Sequence, residues 1–359
     1  MNKRSILNID WGLIAPALVL VILSLTTLFS IDFSKFLNQF IFFIIGIFVF
    51  LFFSQTNYKT IKIYSMPIYA ISIILLSIVL VVGAETRGSV RWLEFLGFRV
   101  QFSEILKPFL AISLSSYLSS GNNYSFKTVF LAICFLIPIF FLVFLQPDLG
   151  NALIYFMVAV LTFIVFGFPL RFFFAGLFFL SILSPIIWKF LHDYQKQRIL
   201  TYFSPNDPLG LSYNAIQSVI AVGSGMLIGR GLGLGTQSGL RFLPERHTDF
   251  IFATVSETLG MTGAILVVLI FAFLLYRIFI IFSNQEDLFG KIFSIIAFSL
   301  IFLQFFINIG MNIGILPIVG ITLPFVSYGG SSLLSSFILL GILSSMNKTD
   351  ASRKVLEIR

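Results

Sequence analysis

The segment LPERHTDF, Leu243 to Phe250, gathers Glu245, Arg246, His247 and Asp249 at the threshold of a long apolar run. A carboxylic acid at the edge of hydrocarbon is partly desolvated, which raises its pKa toward that of a useful general base. Asp249 is therefore the candidate catalytic base. The plain structural alternative is a helix N-cap, for which Thr248 is an equally good candidate. Glu245 lies four residues earlier and Glu257 two helical turns later. The two histidines, His192 and His247, are too few for a zinc site, and no His/Cys spacing suggests one.

This motif closes a polar, glycine-rich stretch running from His192 to Asp249. Charges beside a bilayer are costly unless solvated or paired, so such a stretch points to a site facing outward from the membrane. Its glycines, Gly223 to Gly235, invite a nucleotide-loop reading, but no strand precedes them and no Gly-Lys-Ser/Thr follows. The stretch AIQSVIAVGSGMLIG reads instead as a half-buried or re-entrant helix. The glycines after it would let the loop bend and approach a substrate closely.

Three other outer segments carry polar residues. Glu104 and Lys107, one helical turn apart, can pair on one face, either in a site or as a buried ion pair joining helices. Trp92, beside Arg91, is a membrane-interface residue or a sugar-stacking platform. In QPDLG, Pro147 and Gly150 make a turn, and Asp148 caps the helix that follows, with catalysis its lesser reading.

The elements that must hold these groups are membrane helices. Of 359 residues 58% are hydrophobic, including 46 phenylalanines, and mean hydropathy is +1.02. Such a chain needs the bilayer as its solvent. Runs of spanning length fall near 11–29, 36–54, 64–83, 103–119, 128–145, 150–166, 172–191, 249–276, 291–313 and 328–346. These predict an all-α polytopic membrane protein of about ten transmembrane helices. It forms one domain over 1–359, with outer loops 84–104, 146–151, 192–249 and 315–327 and a cytoplasmic tail 347–359. The longest loop lies between helices 7 and 8. The first run lacks a small-x-small cleavage site, so an uncleaved first helix is expected. Cys134 sits inside a span and makes no internal disulfide.

With the N-terminus cytoplasmic, the basic residues obey the positive-inside rule, and the short outer loops carry only Lys35. Ten further cations cluster between Arg87 and Lys107 and between Lys189 and Arg246. A polyanionic ligand is the simplest reason for them, with lipid phosphates the bland alternative. Membrane lipids are thus expected partners, and nucleic acid is not.

Taken together, RGSVRWL, QFSE with Lys107, QPDLG, the IQS–GSG–LPERHTDFIF series, and NIGM through SYGGSS resemble the SEDS family (shape, elongation, division and sporulation), which includes RodA and FtsW. The motifs follow in family order over roughly residues 83–332. The resemblance implies a peptidoglycan glycosyltransferase that polymerises lipid II at the outer face of the bacterial cytoplasmic membrane. It also implies a class B penicillin-binding protein as partner. Asp249 takes the family's acid-base role. Binding roles are carried to Arg87 or Arg91, Trp92, Gln101, Glu104, Lys107, Gln146, Asp148, Gln217, Ser218, Glu245, His247, Glu257, Ser327 and Ser331. This chain departs from the common family pattern at Phe102, Arg230 and Arg246, which alters loop shape and charge but not the core groups.

The implied chemistry inverts an α-linked glycosyl pyrophosphate into a β-1,4 glycan, which needs one base and a stabilised leaving group. Asp249 would take the proton of the acceptor's GlcNAc 4-OH. Leaving-group charge would fall on Arg87, Arg91, Lys107 and Arg241, with Mg²⁺ or Mn²⁺ an open addition. A lipid II flippase is the main alternative, disfavoured because the inner halves of the spans carry almost no ionisable residues. The short N-terminal segment and Ile9-Asp10-Trp11 favour a RodA-type elongation and cell-shape role over FtsW-type division.

Overall fold

The structure is a computed structural model that describes residues 9–86, 89–95, 98–120, 126–191, 196–197, 200, 202 and 212–357. Its chain runs through α1 (Trp11–Ile31), α2 (Phe33–Gln55), α3 (Tyr58–Ile63), α4 (Ser65–Val82), β1 (Ala84–Thr86), β2 (Ser89–Phe95), β3 (Phe98–Val100), α5 (Phe102–Ile105), α6 (Lys107–Ser119), α7 (Phe126–Leu145), α8 (Leu149–Val165) and α9 (Leu170–Phe190). After the polar stretch come α10 (Tyr213–Ser224), α11 (Thr236–Gly239), α12 (Ile251–Asn284), α13 (Leu288–Asn312) and α14 (Gly330–Glu357). The apolar runs of the sequence fall in helices, except that the run 103–119 is divided at Leu106 between α5 and α6. Among the described residues α1, α2, α4, α12, α13 and the 330–347 part of α14 are long and apolar enough to cross a bilayer, and α7, α8 and α9 contain shorter apolar stretches.

Burial ranks these helices. The apolar window of α13 is 72% buried and that of α2 only 17%, so α13 is a central post and α2 faces lipid along most of its length. Where α2 does touch α14, small residues let the backbones close in. A Cβ on Gly46 would lie 2.4 Å from the Phe337 ring, and one on Gly341 would lie 2.9 Å from the Phe50 carbonyl. Membrane helices associate through such close packing rather than through a hydrophobic force. At the opposite end from the polar loops, Arg277 of α12 donates to Asp10 at 2.9 and 3.2 Å, and Asn347 of α14 donates to the same carboxylate at 2.7 Å. Asp10 also caps α1, so one carboxylate ties three helices.

Two features differ from the sequence reading. The loop 84–104 contains an antiparallel meander, with Glu85 opposite Val90 and Leu93 opposite Val100. Its strands carry valine, tryptophan and phenylalanine, which fit a pleated surface. They are too short to register against the surrounding apolar runs. In addition, α12 is not one continuous helix. Gly260 interrupts it at φ 71°, ψ −165°. The carbonyls of Glu257 and Thr258 accept from the Arg230 and Gly231 amides at 2.9 and 3.0 Å, and the amides of Met261 and Thr262 donate to the Met226 and Leu227 carbonyls at 2.8 and 3.2 Å. Unsatisfied backbone groups cost several kcal/mol each in hydrocarbon, so a broken helix persists there only with such replacements. The glycines serve this exchange. A Cβ on Gly225 would lie 1.9 Å from the Ser256 carbonyl, and Gly229 (φ +90°) is equally crowded by Thr258. They bring the loop close to a helix backbone.

Candidate functional site

Asp249 lies half-buried at the end of the turn that leads into α12. The turn is tight, with Arg241 and Glu245 both in the left-handed region at φ 65° and 49°. It closes on itself as Thr248 and Phe250 donate their amides to the Glu245 carbonyl at 3.1 and 3.3 Å.

Four successive carbonyls of this turn are taken by fixed donors. Arg246 accepts from Thr254 Oγ1 at 2.8 Å, His247 from the Tyr328 amide at 2.8 Å, and Thr248 from Ser327 Oγ at 2.7 Å. The Asp249 carbonyl accepts from both Asn308 Nδ2 (3.0 Å) and Asn312 Nδ2 (2.9 Å), one helical turn apart on α13. The 327–329 segment is itself pinned by Gln39 of α2, which donates to the Ser327 carbonyl and accepts from the Gly329 amide.

The capping alternative for Asp249 and Thr248 is not what the structure shows. The N-cap of α12 is Phe250, and no side chain caps the helix. One amide of the first turn, Ala253 N–H, is instead satisfied from outside by Asn312 Oδ1 at 3.0 Å. The α13 asparagine thus does part of a cap's work, and Asp249 is not spent on it.

Around the turn lie charges from a distant part of the chain. Lys35 at the start of α2 pairs with Asp32 at 3.4 Å and stands 5.8 Å from the centre of the Tyr328 ring. Tyr328 in turn packs edge-on against His247, ring centres 5.6 Å apart. Burial and the Lys35 charge push His247 down to about 4, with Glu245, 3.9 Å away, opposing them. His247 is therefore neutral at physiological pH, a positioning group rather than a cation.

A second polar cluster is fully enclosed. Asp148 caps α8 through Asn151 N–H and receives Gln101 Nε2 (2.7 Å), Ser103 Oγ (2.9 Å) and Asn151 Nδ2 (2.9 Å), with Arg91 at 3.8 Å. Ser331 Oγ accepts from the Gln101 amide at 2.9 Å, and Gln146 donates to the Leu76 carbonyl at 2.9 Å. The capping reading of Asp148 is the one seen. Glu104 and Lys107 form a buried ion pair at 2.7 Å, across the break between α5 and α6.

Several expected binding residues are thus placed in the framework. Lys107, inside its ion pair, is not available to a leaving group. Glu257 is wholly buried, and its carboxylate accepts from the Gln237 and Ser238 amides, both at 2.8 Å, so it holds α11 rather than a substrate. Ser218 donates to the Asn312 carbonyl at 2.9 Å, and Ser327 is one of the clamps on the turn that carries Asp249. Trp92 is half-exposed on β2, Gln217 half-buried on α10, and Arg241 exposed. Arg87 lies outside the described residues. Among the described residues no three His, Cys, Asp or Glu side chains gather to hold a metal ion.

The profile of the FtsW/RodA/SpoVE cell cycle proteins matches residues 5–352. The chain belongs to this family. Among FtsW/RodA/SpoVE relatives it is 38% identical over 283 residues to the peptidoglycan glycosyltransferase MrdB of Escherichia coli K12, covering 78% of this chain and 76% of that one. It is 39% identical over 286 residues to a probable peptidoglycan glycosyltransferase FtsW of Wigglesworthia glossinidia brevipalpis, covering 76% and 73%. A solved chain from a peptidoglycan synthase complex that coordinates polymerization and crosslinking superposes with a TM-score of 0.82 at 28% identity, over 95% of this chain and 98% of that chain. What sequence reasoning missed in this FtsW/RodA/SpoVE site are Asn308, Asn312, Gln39 and Lys35. The asparagines had a signal: two amides at i, i+4 inside an apolar helix are costly unless they serve something.

Proposed function

We propose that this chain is a peptidoglycan glycosyltransferase of the bacterial cytoplasmic membrane, polymerising lipid II at the outer face into β-1,4-linked glycan. The observation that carries the mechanism is the clamp on Asp249. Its backbone is fixed by Asn308 and Asn312, while α12 uses no side chain as a cap. A carboxylate held this way, half-buried at a membrane rim, is suited to remove one proton at a defined place. Asp249 takes the proton of the acceptor's GlcNAc 4-OH. The oxygen bonds to C1 of the donor sugar as the C1–O bond to phosphate breaks, and the electron pair leaves on the diphosphate. One displacement inverts the anomeric centre, and because diphosphate leaves without a protonating acid no second flanking carboxylate is required, unlike glycoside hydrolysis.

The enclosed Asp148 and Glu104–Lys107 clusters support the frame around this chemistry. A class B penicillin-binding protein supplies crosslinking, in keeping with the synthase complex whose polymerase chain shares this fold. The cellular role is elongation and shape, of the RodA type.

The test is Asp249→Asn in purified protein with lipid II. Loss of a general base costs about 10²–10⁴-fold in rate, while thermal unfolding should stay near wild type because the backbone clamp is kept. Polymer at wild-type rate from a folded Asp249→Asn protein would remove Asp249 from the mechanism.

A further inference from the structure

The turn that presents Asp249 also collects cations, of which Lys35 is paired with Asp32 and, among the described residues, the two arginines Arg241 and Arg246 with no carboxylate. Lys35 reaches it from α2, standing 5.8 Å from the Tyr328 ring, and Tyr328 is hydrogen-bonded and ring-packed onto His247, the neighbour of Arg246. The carbonyl of Arg246 is tied to Thr254, yet its Nε is buried with no hydrogen-bond acceptor. Arg241, five residues earlier, is exposed and held at φ 65°. Among the described residues neither arginine forms an ion pair. Burial, and then the charge of Arg241, hold the Arg246 guanidinium below its usual range, with Asp32 opposing them. That Asp32 carboxylate is already engaged by Lys35 and Ser34.

Like charges drawn together at a membrane rim stabilise nothing by themselves. A guanidinium with an unmade buried hydrogen bond is costly until an acceptor arrives. The ligand that answers this arrangement carries several negative charges and planar pairs of oxygens, which the arginine fork matches. Among the described residues, the other cations the sequence offered face other partners, Lys107 facing Glu104 and Arg91 facing Asp148.

We propose that Lys35, Arg241 and Arg246 form the subsite that receives the diphosphate of the lipid-linked sugar donor. The subsite lies on the same turn as Asp249, so charge developing on the leaving group meets fixed cations as the proton leaves the acceptor. The proposal rests on the glycosyl-transfer reading for the identity of the ligand, and its test does not require turnover.

Inorganic diphosphate is titrated into the detergent-purified full chain, at constant ionic strength, and thermal unfolding is followed. Wild type gains stability with saturation. Arg241→Ala and Arg246→Ala each weaken apparent affinity about tenfold or more, the usual scale for a charge-assisted bond, and Arg246→Lys is intermediate because it keeps charge but loses the fork. Lys35→Gln, at a half-buried position, also weakens the diphosphate response and guards against arginine variants that fail to fold. Asp249→Asn keeps the diphosphate response, so an error in the base assignment is distinguishable from an error here. The same arginine variants both raise KM for lipid II and lower kcat, because they lose contacts to the bound diphosphate and to the charge it gains as it leaves. The proposal is overturned by a wild type that gains no more from diphosphate than from matched chloride, or by arginine variants that respond like wild type. It is also overturned if phosphatidylglycerol nanodiscs stabilise the protein through these residues and diphosphate does not compete, which would make them a headgroup site.

Discussion

Replacing Asn312 with alanine separates a positioned base from one that is merely present. The change removes the Nδ2 bonds to the Asp249 carbonyl (2.9 Å) and the Asn308 carbonyl (2.7 Å), together with the Oδ1 acceptor for Ala253 N–H (3.0 Å). Each bond is worth about 1 kcal/mol net, and orphaning the buried Ala253 amide adds about 1–3 kcal/mol. The expected loss of stability is therefore about 3–5 kcal/mol, with Asn308 still holding Asp249 at 3.0 Å. The effect on rate follows from geometry, because a shift of about 1 Å at a reacting group costs on the order of 10²-fold. The assay is glycan polymerisation by purified protein below its unfolding transition, with kcat and KM measured separately. The kcat should fall with KM nearly unchanged. Asn312→Asp keeps an acceptor for Ala253 but loses the donor to Asp249, so it should recover more stability than activity. A folded Asn312→Ala protein with kcat within twofold of wild type would refute the idea that α13 aims the base.

Further expectations concern stability. His247 has a folded pKa near 4 against 6.5 for the free side chain, so below pH 6.5 the unfolded chain takes a proton that the native one refuses. Native stability should fall with acid by about 1.4 kcal/mol per pH unit between 6.5 and 4, and His247→Gln should flatten that slope in thermal unfolding; an unchanged slope counts against it. Lys107→Met strands Glu104 in a buried site and should cost about 3–5 kcal/mol, most of it recovered in the double variant with Glu104→Gln. Equal unfolding temperatures for the single and double variants would show the pair uncoupled. Gly260→Ala must adopt φ 71° with its Cβ 2.3 Å from the Gly229 amide, so it should yield little folded protein, while Gly223→Ala, which meets nothing within 4 Å, should behave as wild type in size-exclusion chromatography.

Helices were legible because hydrocarbon imposes its length on apolar runs, while the break of the run 103–119 at Leu106 left no mark in composition. The cap made by Asp148 was legible too, since Asn151 lies three residues away and the signal is local. Asp249 could be singled out from its depth and neighbours. The clamp could not, because Asn308 and Asn312 are 59 and 63 positions from it and no local rule joins them. The break at Gly260 was hidden in an unbroken hydrophobic signal. Its cause is a partner loop some 30 residues upstream, which composition does not reveal. The Glu104–Lys107 spacing announced a pair, but only packing decided that it stays closed to solvent.

The interruption of α12 has a consequence for how the protein is made. The outer nine residues of that helix (251–259) and the turn at 225–231 complete each other's backbone, so neither is finished while the other is absent. The break and the turn can therefore form only together, and Asp249, two residues before the helix begins, has its place fixed by that joint unit.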